Sequence, residues 1–369
     1  MLRKSSFQSN KIIKIMSLFF ILIIFVIYIS NHDFNMYHQP IGQIVKVYNY
    51  GHQNQSDEFG NTDYVASQKL ELQMLNTNLK GRSVTIYNKY SGSHVYDSKY
   101  FKGQEVFLEK NDDNYVVQGL KRDTQVFVVL TVVLFLIILI AKKDAIMSIV
   151  SVILNATFFF IATQLDIKVG SNQVTLLYSL TTILFLITTT LFVYGRTKTS
   201  KNVCISSLIT CLLTLSLIEF NLYLTRSSGL HFETMSYVTQ SRTILYIFSI
   251  IIGMLGAIVD VSGDITVTLI NLFSQEKNKN FYEIFQVGLA CGKTLLMPSV
   301  NILNLIFVSS TLPMMILFIK NGNDILYSIS MIMSLGIFQI LSSVVGLLIT
   351  VPITSLIVSH DLIKMRINL

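Results

Sequence analysis

The chain has no tryptophan, three cysteines and four prolines among its 369 residues, and only 13% of them are charged. Each shortage excludes something. Ordinary soluble domains carry roughly 25% charged residues, so half that density with 51% hydrophobic residues and a mean hydropathy of +0.57 excludes a soluble globular protein. The cysteines, Cys204, Cys211 and Cys291, all fall in or beside apolar runs. That placement gives no disulfide framework, and without companion histidines there is no zinc site. No cofactor is expected. A net charge of +7 and a pI near 9.1 raise nucleic acid as a partner. Yet the Lys and Arg residues sit at the ends of apolar segments rather than in a basic stripe, which disfavours that reading.

Long apolar runs are what the sequence has instead. About 18 or more apolar residues cross a ~30 Å hydrocarbon core as a helix. Eight stretches fit, at about Ile12 to Ser30, Gln125 to Ala141, Ala145 to Ile161, Val174 to Tyr194, Val203 to Leu224, Thr243 to Ser262, Leu295 to Ile319 and Ile325 to Ser359. The expected fold is an all-α polytopic membrane protein of about eight spans with a small β-rich domain between the first two. The first span follows a basic segment but is longer than a signal-peptide core and lacks a small-residue cleavage site, so it reads as an uncleaved anchor. Arg3, Lys4, Lys11, Lys14, Lys142, Lys143, Arg196, Lys198, Lys201, Lys277, Lys279, Lys293, Lys364 and Arg366 fall at both termini and in the even connections. Cationic loops stay inside, so both termini are expected to be cytoplasmic and residues 31–123 extracytoplasmic. The expected organisation is residues 1–30 as tail and first helix, 31–123 as outer domain, 124–240 as spans two to five, and 241–369 as spans six to eight.

The outer segment reads as strands. QIVKVYNY, KLELQML, SVTIYNKY, QEVFLEK and NYVVQGL are rich in β-branched and aromatic residues, and GHQNQSDEFGN, NLKGR and SGS break them up. Tyr48, Tyr50, Tyr87, Tyr90, Tyr96 and Tyr100 are expected to fill a small barrel or sandwich core rather than to form a ligand platform.

GMLGAIVDVSGDITVTL, GLACGKTLLMPSVNILNLIFVSSTLPMMILF and GLLITVPITSLIVS together resemble the YibE/F family of bacterial multi-spanning membrane proteins. KLELQMLNTNLKGRSVTIYN and KRDTQVFVVLTVVLFLIILIAKKDAIMSIVSVILN are similar to its outer-domain stretch and its second and third spans. The resemblance implies a plasma-membrane protein, often with a shorter paralogue as neighbour and possible hetero-oligomer partner, and no settled activity.

Candidate chemistry centres on Asp260 and Asp264. Gly253, Gly256, Asp260, Gly263 or Asp264, and Val267 recur at about 3.5-residue spacing, putting small residues and carboxylates on one helical stripe. Small residues let helices approach, so this stripe is expected to face protein. Gly288 and Gly292 extend the packing theme to the next span. A pair between Lys293 and Asp260 or Asp264 would make the acids tolerable and form a proton- or cation-responsive site. The competing reading leaves both acids among headgroups, with Asp264 capping an interfacial helix and Lys293 as an anchor. Asn301 and Asn304 with Pro298 and Pro313, and Thr350 with Pro352, Thr354 and Ser355, read either as ion-coordinating broken helices or as interhelical hydrogen bonds with hinges. Glu219 is expected at the headgroups, and His94 and His231 are expected to face solvent.

Enzyme signatures fail. GLACGKT ends like a phosphate loop, but Val287 stands where the first glycine belongs and no strand precedes it. There is no H-E-x-x-H and no second aspartate motif of an intramembrane protease. The expectation is a transport or permease component without its own ATPase and not an enzyme, with no metal and an unidentified substrate. The alternative is a non-transporting assembly or signalling scaffold that binds another membrane protein.

Overall fold

The computed structural model describes residues 2–94, 97–111, 114–168, 173–235, 242–276 and 278–367, with backbone alone for 2–13, 143, 144 and 367. Tyr96 and Lys277 therefore lie outside the described residues. The chain divides into two compact units, Met1–Lys142 and Lys143–Leu369.

The first unit begins with α1 (Leu2–Ser30), a short 3-10 turn at Phe34–Met36, and five strands: β1 (Ile41–Ser56), β2 (Thr62–Met74), β3 (Ser83–Ser91), β4 (Glu105–Asn111) and β5 (Asn114–Leu120). They form one antiparallel sheet in the order β3-β2-β1-β4-β5. Side-chain alternation buries one face: Ile44, Leu70, Leu72, Met74, Ile86, Val106 and Leu108 form its core. Of the tyrosines, Tyr90 and Tyr100 are buried, but Tyr48, Tyr50 and Tyr87 are 46%, 49% and 70% exposed, so the core is mainly aliphatic. The stretch GHQNQSDEFGN separates the first two strands as its composition predicts, but only in its second half. β1 runs through it to Ser56, with a register shift at Gly51 (φ 68°) absorbing the irregularity. The turn comes later, where Asp57 accepts from the amides of Phe59 and Asn61. Asn76 locks the sheet to the chain before it: its Oδ1 accepts from Ile41 N at 2.8 Å, and its Nδ2 donates to the carbonyls of Phe34, Tyr37 and Gln39.

Helix α2 (Asp123–Asp166) begins in this unit, and its non-helical Lys142 (φ 51°, ψ −118°) marks the unit boundary. The second unit holds the rest of α2, then α3 (Val174–Tyr194), α4 (Lys198–Thr225), α5 (Arg242–Gln275), α6 (Phe281–Lys320), the short α7 (Ile325–Ser328), a π-helical turn at Ile329–Met333, and α8 (Ser334–Ile367). Among the described residues, seven helical segments are long and apolar enough to cross a membrane, with a shorter apolar helix at Lys14–Ser30. Two of the expected spans are segments of much longer helices. α5 continues 13 residues past Ser262, and α6 begins 14 residues before Leu295, because nothing in DITVTLINLFSQ or FYEIFQVGLACGKT breaks backbone hydrogen bonding. Helix α5 is the centre of this unit. Ile250, Met254, Ile258, Ile265 and Leu269 are fully buried, and it packs against α3, α4, α6 and α8.

Candidate functional site

Two helical faces carry the residues singled out from the sequence, and the structure separates them by environment. On α5, Met254, Ile258, Val261, Ser262 and Ile265 turn inward, while Gly253, Gly256, Asp260, Asp264 and Val267 lie on the exposed side. The glycine–aspartate stripe does exist on one face, but that face looks away from its own bundle. A side chain added at Gly256 would meet nothing within 4 Å, and one at Gly253 only the Gln339 amide at 3.5 Å. Gly263 departs from the stripe, packing under the Tyr194 hydroxyl that ends α3.

The acids themselves have no ion-pair or hydrogen-bond partner among the described residues, although the Tyr194 phenol lies close enough to feel both. Among the described residues no cation lies within 4 Å of Asp260 or Asp264, and Lys293 is exposed on α6 without a carboxylate. The Lys293 pair envisaged above is therefore not formed within the chain. Nor does Asp264 cap a helix, since α5 runs on to Gln275.

Helix α6 repeats this division. Its glycines are packing residues: Ser355 and Val351 of α8 occupy the space where a Cβ would stand at Gly288 and Gly292. Close backbone approach is what a small residue four positions from another permits. Farther along, Asn301 and Asn304 are exposed and make no hydrogen bond among the described residues. Pro298 and Pro313 lie inside α6 and Pro352 inside α8, and neither helix is interrupted there. The irregularity falls instead at Ile329–Met333.

Thr350, Thr354 and Ser355 belong to a buried polar layer between α4, α5 and α8, whose α4 and α5 members sequence reasoning missed. Ser262 shares a 2.5 Å hydrogen bond with Ser206 and accepts from Thr354 at 3.2 Å, and all three are fully buried. Asn202 Nδ2 donates to Asp361 at 3.1 Å at one end of the layer. The Thr350 hydroxyl instead donates back to the Gly346 carbonyl at 2.8 Å, the usual way a helical threonine satisfies itself. Ser207, Thr210 and Ser359 are buried without a hydrogen-bond partner among the described residues. The signal was present: Ser206, Ser207, Thr210 and Thr214 recur three and four apart in an otherwise apolar run.

The first unit holds a second unforeseen cluster, where the sheet joins α1 and α2. The Lys121 ammonium donates to Ser30 O at 2.7 Å and Glu105 Oε2 at 3.1 Å, pairs with Asp33 Oδ1 at 2.7 Å, and lies 3.5 Å from Asp123. Its side chain is 2% exposed. Burial pulls the lysine pKa down, but hydrogen bonds to Asp33 and Glu105 outweigh it and hold the ammonium above the usual lysine value. Asp123 in turn accepts from the Tyr37 hydroxyl at 2.7 Å. That bond, with burial, pushes the phenol up to about 12. Both histidines singled out above have neighbours: His231 lies 2.8 Å from Glu233 and 3.2 Å from Ser330, and His94 lies 3.4 Å from Asp97. No group of three or more metal-ligating side chains occurs among the described residues.

A five-stranded sheet after the first helix, then a bundle of apolar helices knit by buried hydroxyls, defines a multi-pass membrane protein. Residues 129–364 match the family described as YibE/F-like protein, and residues 35–127 match the YibE/F family N-terminal domain. The chain belongs to the YibE/F family. No curated protein and no solved structure matches it.

Proposed function

We propose that this chain is one subunit of a plasma-membrane assembly, both termini in the cytoplasm and the sheet domain outside. The observation that carries the reading is the polar surface of α5 and α6: Asp260, Asp264, Asn301 and Asn304 are exposed on apolar helices with no hydrogen-bond or ion-pair partner among the described residues. Ionisable and amide groups are costly against lipid and are ordinarily turned toward protein or water. A neighbouring protein removes that cost. The open glycines Gly253 and Gly256 beside Asp260 suit a close-packed helix, and a shorter relative of the same family with cationic residues at this level is a partner of the right chemistry. Transport, driven by an ion gradient or another subunit, is the second reading. The buried hydroxyls Ser207, Thr210 and Ser359, which lack hydrogen-bond partners among the described residues, favour it because they have lone pairs free for a dehydrated ion or for water.

Extraction of the tagged chain into native-lipid discs tests the first reading. The expected result is a complex that loses its other components when Gly256→Leu or Asp260→Leu is introduced. A chain that runs alone, with both variants unchanged, would refute it. Flux of a cation or solute through the reconstituted complex, abolished by Thr210→Val, would support the second reading. An intact complex with no flux across a broad panel would count against it.

A further inference from the structure

The exposed amides of α6 say more than that a partner exists. Lys293 and Lys320 bracket the apolar part of this helix, so its midpoint falls near residues 306–307. At ~1.5 Å per residue Asn304 lies about 4 Å from that midpoint and Asn301 about 8 Å. Both carboxamides therefore sit near the middle of a span, where headgroups and water are out of reach.

They also lie on a regular seam. Thr294, Met297, Asn301, Asn304 and Val308 follow one another at intervals of three, four, three and four, and all five are exposed, Met297 at 70% and Val308 at 49%. That alternation is the heptad rule for two helices packed side by side. The bundle takes the neighbouring seam, through Leu296, Val300 and Leu303.

We propose, resting on the assembly reading above, that this seam binds a second copy of the same chain, α6 against α6. Copies inserted in the same orientation carry α6 parallel, and a two-fold axis along the membrane normal places each seam residue opposite itself. A carboxamide both donates and accepts, so Asn301 meets Asn301 and Asn304 meets Asn304 with complementary groups. An acidic or basic partner would satisfy only half of each amide. Polar residues at core positions also fix register and number of strands in parallel helix pairs.

The test is cysteine cross-linking in native membranes, with Cys204, Cys211 and Cys291 replaced by alanine in the full chain. Val308→Cys should give a disulfide-linked dimer under mild oxidation, and Leu303→Cys, on the bundle seam, should not. Adding Asn301→Leu and Asn304→Leu should lower the Val308 cross-link at least tenfold, whereas Asn304→Gln, which keeps the amide and controls for folding, should preserve it. Equal cross-linking at 303 and 308, or a cross-link indifferent to both leucines, would overturn the seam. A chain that co-purifies with another membrane protein but never with a differently tagged copy of itself would overturn the second copy while leaving the assembly standing. A chain that runs alone would overturn both.

Discussion

Replacing Lys121 by methionine keeps the length and apolar stem of the side chain and removes one charge. In the native network a single ammonium faces Asp33, Glu105 and Asp123, whose side chains are 7%, 18% and 21% exposed. Truncating one partner of a buried ion pair costs about 3–5 kcal/mol because the opposite charge stays buried and uncompensated. Three carboxylates left together place this site toward the upper part of that range. At 1.4 kcal/mol per factor of ten, amides that open with the sheet should lose about two to four orders of magnitude of hydrogen-exchange protection. The amides of Ile44, Leu108 and Lys121, which bond to Gln104 O, Pro40 O and Glu105 O, are the ones to follow. Exchange is the right assay because the chain has no tryptophan to report unfolding by fluorescence. The pH dependence gives an independent check. The parent lysine has a raised pKa, so its contribution is fully present below the ordinary lysine value and is lost only as pH rises through the raised one. In the variant that loss at high pH should be absent. Protection within threefold of the parent, or the same high-pH loss in the variant as in the parent, would refute the assignment of Lys121 as the keystone of this junction.

Other perturbations separate contact from exposure. Gly292→Val forces a side chain into Val351 and should destabilise the second unit by about 1–3 kcal/mol or more, seen as faster proteolysis at 37 °C. Gly256→Ala, on the open face, should leave that rate unchanged. Asn76→Ala leaves the buried Ile41 amide and three carbonyls without their partner. It should cost about 2–4 kcal/mol, read as exchange of the β1 and β2 amides. The Tyr37 phenol, followed by carbon NMR of labelled tyrosine and assigned with Tyr37→Phe, should ionise near pH 12 rather than 10. Its bond to Asp123 stabilises fully below pH 10 and is lost as pH climbs through 12.

The parts of the structure that were legible in the sequence are those decided by local pattern. The five strands follow from β-branched and aromatic runs, and the late end of β1 inside GHQNQSDEFGN has a local cause: a bulge at Gly51 lets polar residues continue the two-stranded ribbon as far as Ser56, before the turn. The Lys121 cluster was illegible for the opposite reason. Ser30 and Asp33 lie about 90 positions from Lys121, and no periodicity connects the end of one span to the start of the next.

The most informative failure concerns which side of a helix faces inward. In a soluble protein the apolar stripe points to the core because water is the alternative. In a bilayer both the core and the surroundings are apolar, and hydropathy loses its direction. The 3.5-residue recurrence of Gly253, Gly256 and Asp260 correctly put them on one face of α5 but gave no means of orienting it. The spacing of Gly288 and Gly292 looks much the same, yet those two are pressed against α8. Hydroxyls discriminate better. Ser206, Ser262 and Thr354 are fully buried and bonded to one another across three helices, because a hydroxyl facing a neighbouring helix finds a partner there that lipid does not offer. By the same logic, acids and amides left on the outside are what motivates the assembly proposed above. On that proposal Asp260 and Asn304, exposed in the single chain, become inward-facing residues of a larger bundle.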